Sequence, residues 1–274
     1  MSMEMRQLQQ PVRPAAVAGH FYPSEPGLLR ATVGNLLAAA QGEGRRDGAP
    51  PKAIIVPHAG YVYSGPVAAR AYARLGNTAS RIRRVVLVGP AHRVGFYGIA
   101  VPESTVFETP LGWIEVDEAS LRRACALPTV FRFEGAHAPE HSLEVQLPFL
   151  QQVLGEGFSL VPLVVGGATA DDVATVLSLL WGGPETLVVV SSDLSHHLDY
   201  HSAREVDERT SRAIESLNDE AIAPGLACGR LAVQGLLRVA RAQGLGARLL
   251  DLRSSGDTAG PRERVVGYGA FEFS

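Results

Sequence analysis

The sequence predicts an α/β domain built on a single mixed, mostly parallel sheet with helices on both faces. Three observations carry this. Short apolar runs at 53–56, 84–88, 159–165 and 187–190 have the character of buried strands. Segments with apolar residues at helical spacing alternate with them, as in a chain that lays helices over a parallel sheet. Several runs end in turns rich in Pro, Gly or Ser that also carry His or Asp. No Ser/Gly-rich or charged linker divides the 274 residues, so one domain, 13–274, is expected behind a flexible tail, 1–12.

In chain order, 16–23 reads as a short extended piece, and 25–40 as a helix with Leu28, Leu29, Val33, Leu36 and Leu37 on one face. The run 53–56 is a strand that ends at Pro57-His58. Pro66 suits the first turn of a helix over 67–75, where its missing N–H costs nothing. The next strand, 84–88, leads into Gly89-Pro90-Ala91-His92. Within 99–116, Thr109-Pro110-Leu111-Gly112 between β-prone pieces signals a hairpin. Asp117 caps a helix over 118–126. Residues 128–139 read as irregular and deliver Glu140-His141-Ser142 to a helix running to about Leu154, capped by Ser142 and kinked at Pro148. A strand at 159–165, a helix at 170–181 and a strand at 187–190 follow, the last ending in Ser191-Ser192-Asp193-Leu194-Ser195-His196-His197. Helices at 203–217 and 231–242 and strands at 248–253 and 265–273 close the chain.

Composition removes several function classes. With 46% hydrophobic and 19% charged residues the chain is an ordinary globular one. A formal charge of −3 gives no long-range attraction to nucleic acid. No apolar run is long enough to span a bilayer, and the polar start lacks a signal-peptide core, which points to a cytoplasmic protein. Two cysteines are too few for a disulfide framework. Lys52 is the only lysine and precedes Ala53, which excludes a Walker A loop and argues against Schiff-base chemistry.

Parallel strands would bring His58, His92 and the Asp193/His196 pair to one edge of the sheet, the edge where ligands gather in open α/β folds. Imidazoles and a carboxylate together suit a divalent metal such as non-haem iron or zinc. Any one of these histidines alone is better explained as a hydrogen-bonded loop residue; the three strand ends together favour a site. His197 and His201 fit a solvated surface, and Pro139 breaks a helix through His137 and His141. His20 could pack or line a pocket; Tyr61, Tyr63 and Phe96 could stack on a substrate or simply pack; Cys125 reads as core. Cys228, just before Gly229 and a new helix, is open between packing and function.

The motifs Pro57-His58-Ala59-Gly60-Tyr61 with Ser64-Gly65, Gly89-Pro90-Ala91-His92, Glu140-His141-Ser142-Leu143-Glu144 with Leu147-Pro148, Ser191-Ser192-Asp193 with His196, and Cys228-Gly229-Arg230 together resemble the Memo family, whose microbial members are called AmmeMemoRadiSam system protein B. The resemblance is collinear from about Arg13 to the end. It implies a fold similar to class III extradiol dioxygenases, which use non-haem iron(II). It also implies His58, His92 and Cys228 as metal ligands, His196 as acid/base, and Asp193, Glu140 and His141 as pocket residues. Arg93 stands where the animal member has a second histidine, and His197 where tryptophan is common, which would alter the pocket rim. The dioxygenases place a carboxylate where this chain has Cys228, and a thiolate shifts preference towards copper(I) or zinc.

The expectation is therefore a metal-dependent redox enzyme, iron(II) first and copper or zinc as alternatives, acting on a small, aromatic or phenolic substrate. A binding or effector protein that keeps the pocket without turnover is the second reading. The resemblance further implies association with radical SAM and AMMECR1-like proteins.

Overall fold

The computed structural model describes residues 11–42 and 50–274. The chain begins with strand β1 (Val12–Arg13), helix α1 (Pro26–Gly42), β2 (Ala53–Val56), α2 (Tyr61–Ala73) and β3 (Arg84–Pro90). Three short strands follow, β4 (Ile99–Val101), β5 (Val106–Thr109) and β6 (Gly112–Glu115), then α3 (Glu118–Ala124) and β7 (Val130–Arg132). Helices α4 (Glu134–His137), α5 (His141–Glu144) and α6 (Leu147–Leu154) lead to β8 (Ser159–Val165), α7 (Ala170–Leu180), β9 (Thr186–Ser191) and β10 (His196–Leu198). The chain ends with α8 (Tyr200–Glu215), α9 (Arg230–Ala242), β11 (Ala247–Ser254) and β12 (Val265–Phe273).

The main sheet runs β10-β12-β2-β9-β3-β8-β4-β7, with β11 also on β12. Its centre, β2, β9, β3 and β8, is parallel, while β12 on one side and β4 on the other run antiparallel to it. Every residue of β2 and β9, and all but the first of β3 and β8, is buried, so both faces of this centre are covered. Because these four strands share one direction, residues 57–58, 91–92, 166–167 and 192–193 leave the sheet at the same edge.

A small second sheet holds β1, β5 and β6; β5 and β6 form the expected hairpin about Pro110-Leu111. Val12 pairs with Val106. Of the tail expected over 1–12, residues 1–10 lie outside the described residues.

Several local expectations needed correction. Helix α2 starts at Tyr61, not 67, because Tyr63 and Ser64 N–H groups already donate to Gly60 O, so Pro66 lies inside the helix. Pro66 there removes only the bond that would reach back to Val62, a residue 65% exposed. Residues 128–139 are not irregular: β7 pairs with β4, and α4 follows. The stretch 141–154 is two helices, with Pro148 in the opening turn of α6. Its cap is the Glu140 carboxylate, which accepts from His141 and Ser142 N–H; Ser142 Oγ donates instead to Pro90 O, tying α5 to the end of β3. The lone lysine has a structural task, donating from Nζ to Trp181 O, Gly183 O and Thr186 O. Among the described residues no helix is long and apolar enough to cross a membrane.

Candidate metal centre

His58 stands two residues past β2, and its position is set by its own backbone: its N–H donates to Asp193 Oδ1 at 2.8 Å. The tautomer of its ring follows from its neighbour. Ser191 Oγ donates to Ser142 O at 2.6 Å and accepts from Gln146 Nε2, so its contact of 2.9 Å with His58 Nδ1 has the ring N–H as donor. The Nε2 lone pair is left facing Cys228 Sγ, 3.3 Å away.

His92 is held in the same way by a different group. Glu140 Oε1 lies 2.9 Å from His92 Nδ1, and Oε2 accepts the His92 backbone N–H at 2.6 Å. A carboxylate only accepts here, so Nδ1 is the donor and Nε2 is the nitrogen left to bind an ion. Burial pushes the Glu140 carboxyl up, but hydrogen bonds from the His92 ring and from backbone N–H groups outweigh it and hold the group at about 2. It is therefore ionised across the physiological range.

Cys228 is not at a strand end. The chain ahead of α9 brings it there through a reciprocal pairing with Asp193, in which Cys228 N–H donates to Asp193 O and Asp193 N–H donates to Sγ at 3.2 Å. Gly229 must be glycine: a Cβ would lie 2.8 Å from Ser192 Cβ and 2.9 Å from Ser191 O. Burial, and after it the Asp193 carboxylate, push the Cys228 thiol up to about 12. A divalent cation at Sγ supplies the opposite charge that favours the thiolate.

One ligand atom each from His58, His92 and Cys228 lies within 4.8 Å of the other two. That is close to the span an ion needs at roughly 2.0–2.3 Å from N and S ligands. Burial, followed by neighbouring His92, lowers His58 to about 3, so its ring is neutral and its lone pair is available without loss of a proton. The donors present, two imidazoles each with its outer nitrogen hydrogen-bonded and a thiol, fit a transition-metal ion.

His141 joins a second group with His92 and Glu140. Its ring lies 4.7 Å from that of His92 and 5.5 Å from that of His58, centre to centre. Its Nδ1 is 3.3 Å from Glu140 Oε1 but makes no hydrogen bond. Burial, then His58, lower it to about 4. Asp193 is buried beside Cys228, and burial raises its carboxyl. His196 is outside both groups, though it lies near enough to affect the charges of His58 and Asp193; its Nδ1–H donates to Leu194 O at 2.9 Å. His197 and His201 are exposed, as expected of a solvated pair, and His20 is exposed too. His137 is buried away from the cluster, with its Nε2–H donating to Ala100 O.

Sequence reasoning missed Gln146 and Arg13. Gln146 donates to both Pro57 O and Ser191 Oγ, and so sets the chain ahead of His58 and the group behind its ring. Arg13 is 1% exposed and donates to His137 O, Glu140 O, Pro14 O and Glu144 Oε2. The available signal was an Arg in an otherwise apolar and proline-rich stretch, which composition alone does not separate from a surface residue.

Comparison with known proteins identifies the family. The profile of the family described as Memo-like protein matches residues 13–272. The chain is similar to the MEMO1 family protein of Aquifex aeolicus, at 36% identity over 94% of this chain and 97% of that one. It is similar at 34% identity to the MEMO1 family protein of Ignicoccus hospitalis, over 96% and 98% of the two chains, and at 32% to that of Desulfurococcus amylolyticus, over 95% and 98%. A match of this extent, on a chain whose parallel strands carry His58, His92 and Asp193 to one edge, places the protein in the Memo family, with its class III extradiol dioxygenase-like fold.

Proposed function

We propose that the protein is a metal-dependent redox enzyme of dioxygenase-like type, holding Fe(II) through His58, His92 and Cys228 and acting on a small aromatic or phenolic substrate. The observation that carries it is the committed tautomer of both rings: each Nδ1–H is spent on a fixed acceptor, so both Nε2 lone pairs are free at the cluster that includes Sγ. When bound, Fe(II) supplies a Lewis-acidic centre with open positions for dioxygen and a substrate oxygen. His196 has its Nδ1–H held by Leu194 O, which leaves Nε2 as the basic nitrogen able to take a proton from a substrate hydroxyl. Asp193 keeps His58 in place through the backbone, and neutral His141 offers a further ring beside the cluster.

Cys228 supports a second reading. A thiolate is a softer ligand than the carboxylate of a typical iron oxygenase, and it favours zinc or copper(I). Metal analysis of anaerobically purified protein separates the two, together with oxygen uptake on a panel of catechols. Stoichiometric iron, lost in His58→Ala and Cys228→Ser, with iron-dependent uptake supports the enzyme; zinc or copper without uptake supports the second reading.

The groups behind the ligands make their own prediction. Ser191→Ala removes the acceptor of the His58 ring N–H while leaving all three ligands, and metal affinity is expected to fall by about 10–100-fold. Competition against a chelator of known affinity measures it, and an unchanged affinity would count against the ring-orienting role.

A further inference from the structure

We propose that the cavity bordering Cys228 is the substrate site and that it selects compounds with an apolar body and an anionic head, a carboxylate, read by Arg230. The inference rests on the reading of Cys228 as part of the reaction centre and names the substrate class for it.

The cavity measures about 380 Å³, within the range of roughly 300–1,000 Å³ typical of small-molecule sites. It lies between the ends of β3 and β8 on one side and the chain entering α9 on the other, with Cys228 in its wall. Val94, Phe96, Val165 and Leu231 give it apolar side chains within a lining of mixed polarity.

Its shape is built in rather than left to chance. Gly167 N–H donates to Phe96 O at 2.7 Å, Gly166 N–H to Gly98 O at 2.9 Å, and Ala91 N–H to Val165 O at 2.9 Å, so the wall carrying Phe96 is pinned to the end of β8. Gly166 cannot be replaced there, because a Cβ would lie 2.4 Å from Phe96 O. A pre-formed wall avoids an ordering cost on binding.

The charge of the lining has one sign. Arg230 is its only charged residue among the described residues; no Asp or Glu borders the cavity. Arg230 Nη1 donates to Gln234 Oε1 at 3.1 Å, which leaves Nε and Nη2 as donors for a bidentate partner. A pre-formed cavity with apolar side chains on its walls and a single guanidinium suits an apolar body bearing one carboxylate. A neutral ligand of the same shape leaves the guanidinium without a partner of opposite charge.

The test uses the full chain, with its metal and after chelation. Hexanoate and cyclohexanecarboxylate are titrated against their neutral amides and followed by isothermal titration calorimetry. Each carboxylate is expected to bind at least tenfold more tightly than its amide. Arg230→Gln should remove that preference, and Arg230→Lys should retain part of it. Val94→Trp, a change in a cavity-lining loop, should weaken acids and amides alike by at least tenfold. Unchanged melting temperatures confirm that the variants fold. Equal binding of acid and amide by the parent protein, or a preference that persists in Arg230→Gln, would overturn the proposal. An Arg230-dependent preference in a chain that holds no metal would sustain the cavity assignment and remove the iron reading. Iron-dependent oxygen uptake on neutral catechols, with no acid preference in binding, would do the reverse.

Discussion

Arg13→Met is expected to destabilise the protein by about 3–5 kcal/mol, the usual cost of leaving one partner of a buried ion pair alone. Arg13 and Glu144 are 1% and 0% exposed, and Nη1 lies 2.6 Å from Oε2. Glu144 would retain donors in Ala16 N–H, Val17 N–H and the Tyr22 hydroxyl, but no cation. The carbonyls of His137 and Glu140 would each lose the guanidinium donor, His137 O keeping the Glu140 N–H, and these flank the segment that delivers Glu140 and His141 to the cluster. Two effects should therefore appear together: a lower denaturant midpoint and a weakened metal affinity. The double change Arg13→Met with Glu144→Gln removes the unpaired charge and should recover part of the stability, so a double-mutant cycle isolates the pair. A loss below about 1 kcal/mol in the single variant would show that the pair is replaceable by apolar packing.

Metal-free protein should lose stability as the pH falls from about 6.5 towards 4, and Asp207→Asn should steepen that loss. His58 is lowered to about 3, and His137 and His141 to about 4, burial being the first cause in each. In that window the unfolded chain binds a proton at each of these sites and the folded chain does not. Since stability rises with pH wherever the unfolded state holds more protons, each ring contributes about 1.4 kcal/mol per pH unit in that sense. Burial acts oppositely on two acids: Asp207 is raised to about 6, and Asp193 is raised as well. There the folded chain holds the extra proton, so their stabilisation is present at low pH and lost as pH rises. The three rings outweigh the two opposing acids, so stability still falls as the pH falls. Removing Asp207 deletes one opposing acid and should steepen the slope between pH 6 and 4 by about 1.4 kcal/mol per pH unit, while stabilising the protein near pH 8. Asn can still accept the Ser195 N–H that Asp207 Oδ1 now receives. Chemical denaturation of chelated protein at half-unit pH steps measures both slopes; equal slopes in the two proteins would show that Asp207 does not titrate in this range.

Much of this protein was legible in the order of its residues. The apolar runs of β2, β3, β8 and β9, four to six residues long and rich in Val and Ile, read as buried strands, and the helices between them made the sheet parallel. Once those strands share a direction, His58, His92 and Asp193 arrive at one edge whatever the side-chain packing. Cys228 was different, because its approach to His58 depends on backbone pairing with Asp193 across 35 residues of chain. The start of α2, the role of Glu140 as a cap and the strand β7 were also hidden, because each is decided by hydrogen bonds to distant or unpatterned partners rather than by local period. The sequence by itself determined the central strands, the helices between them, and the shared edge to which His58, His92 and Asp193 are carried. Only the tertiary structure decided how the rings are turned, through Ser191, Gln146 and Glu140, and where a charged Arg13 could be buried. Directional bonds of that kind depend on distances of a few tenths of an ångström between segments far apart in the chain, and no pattern along it encodes them.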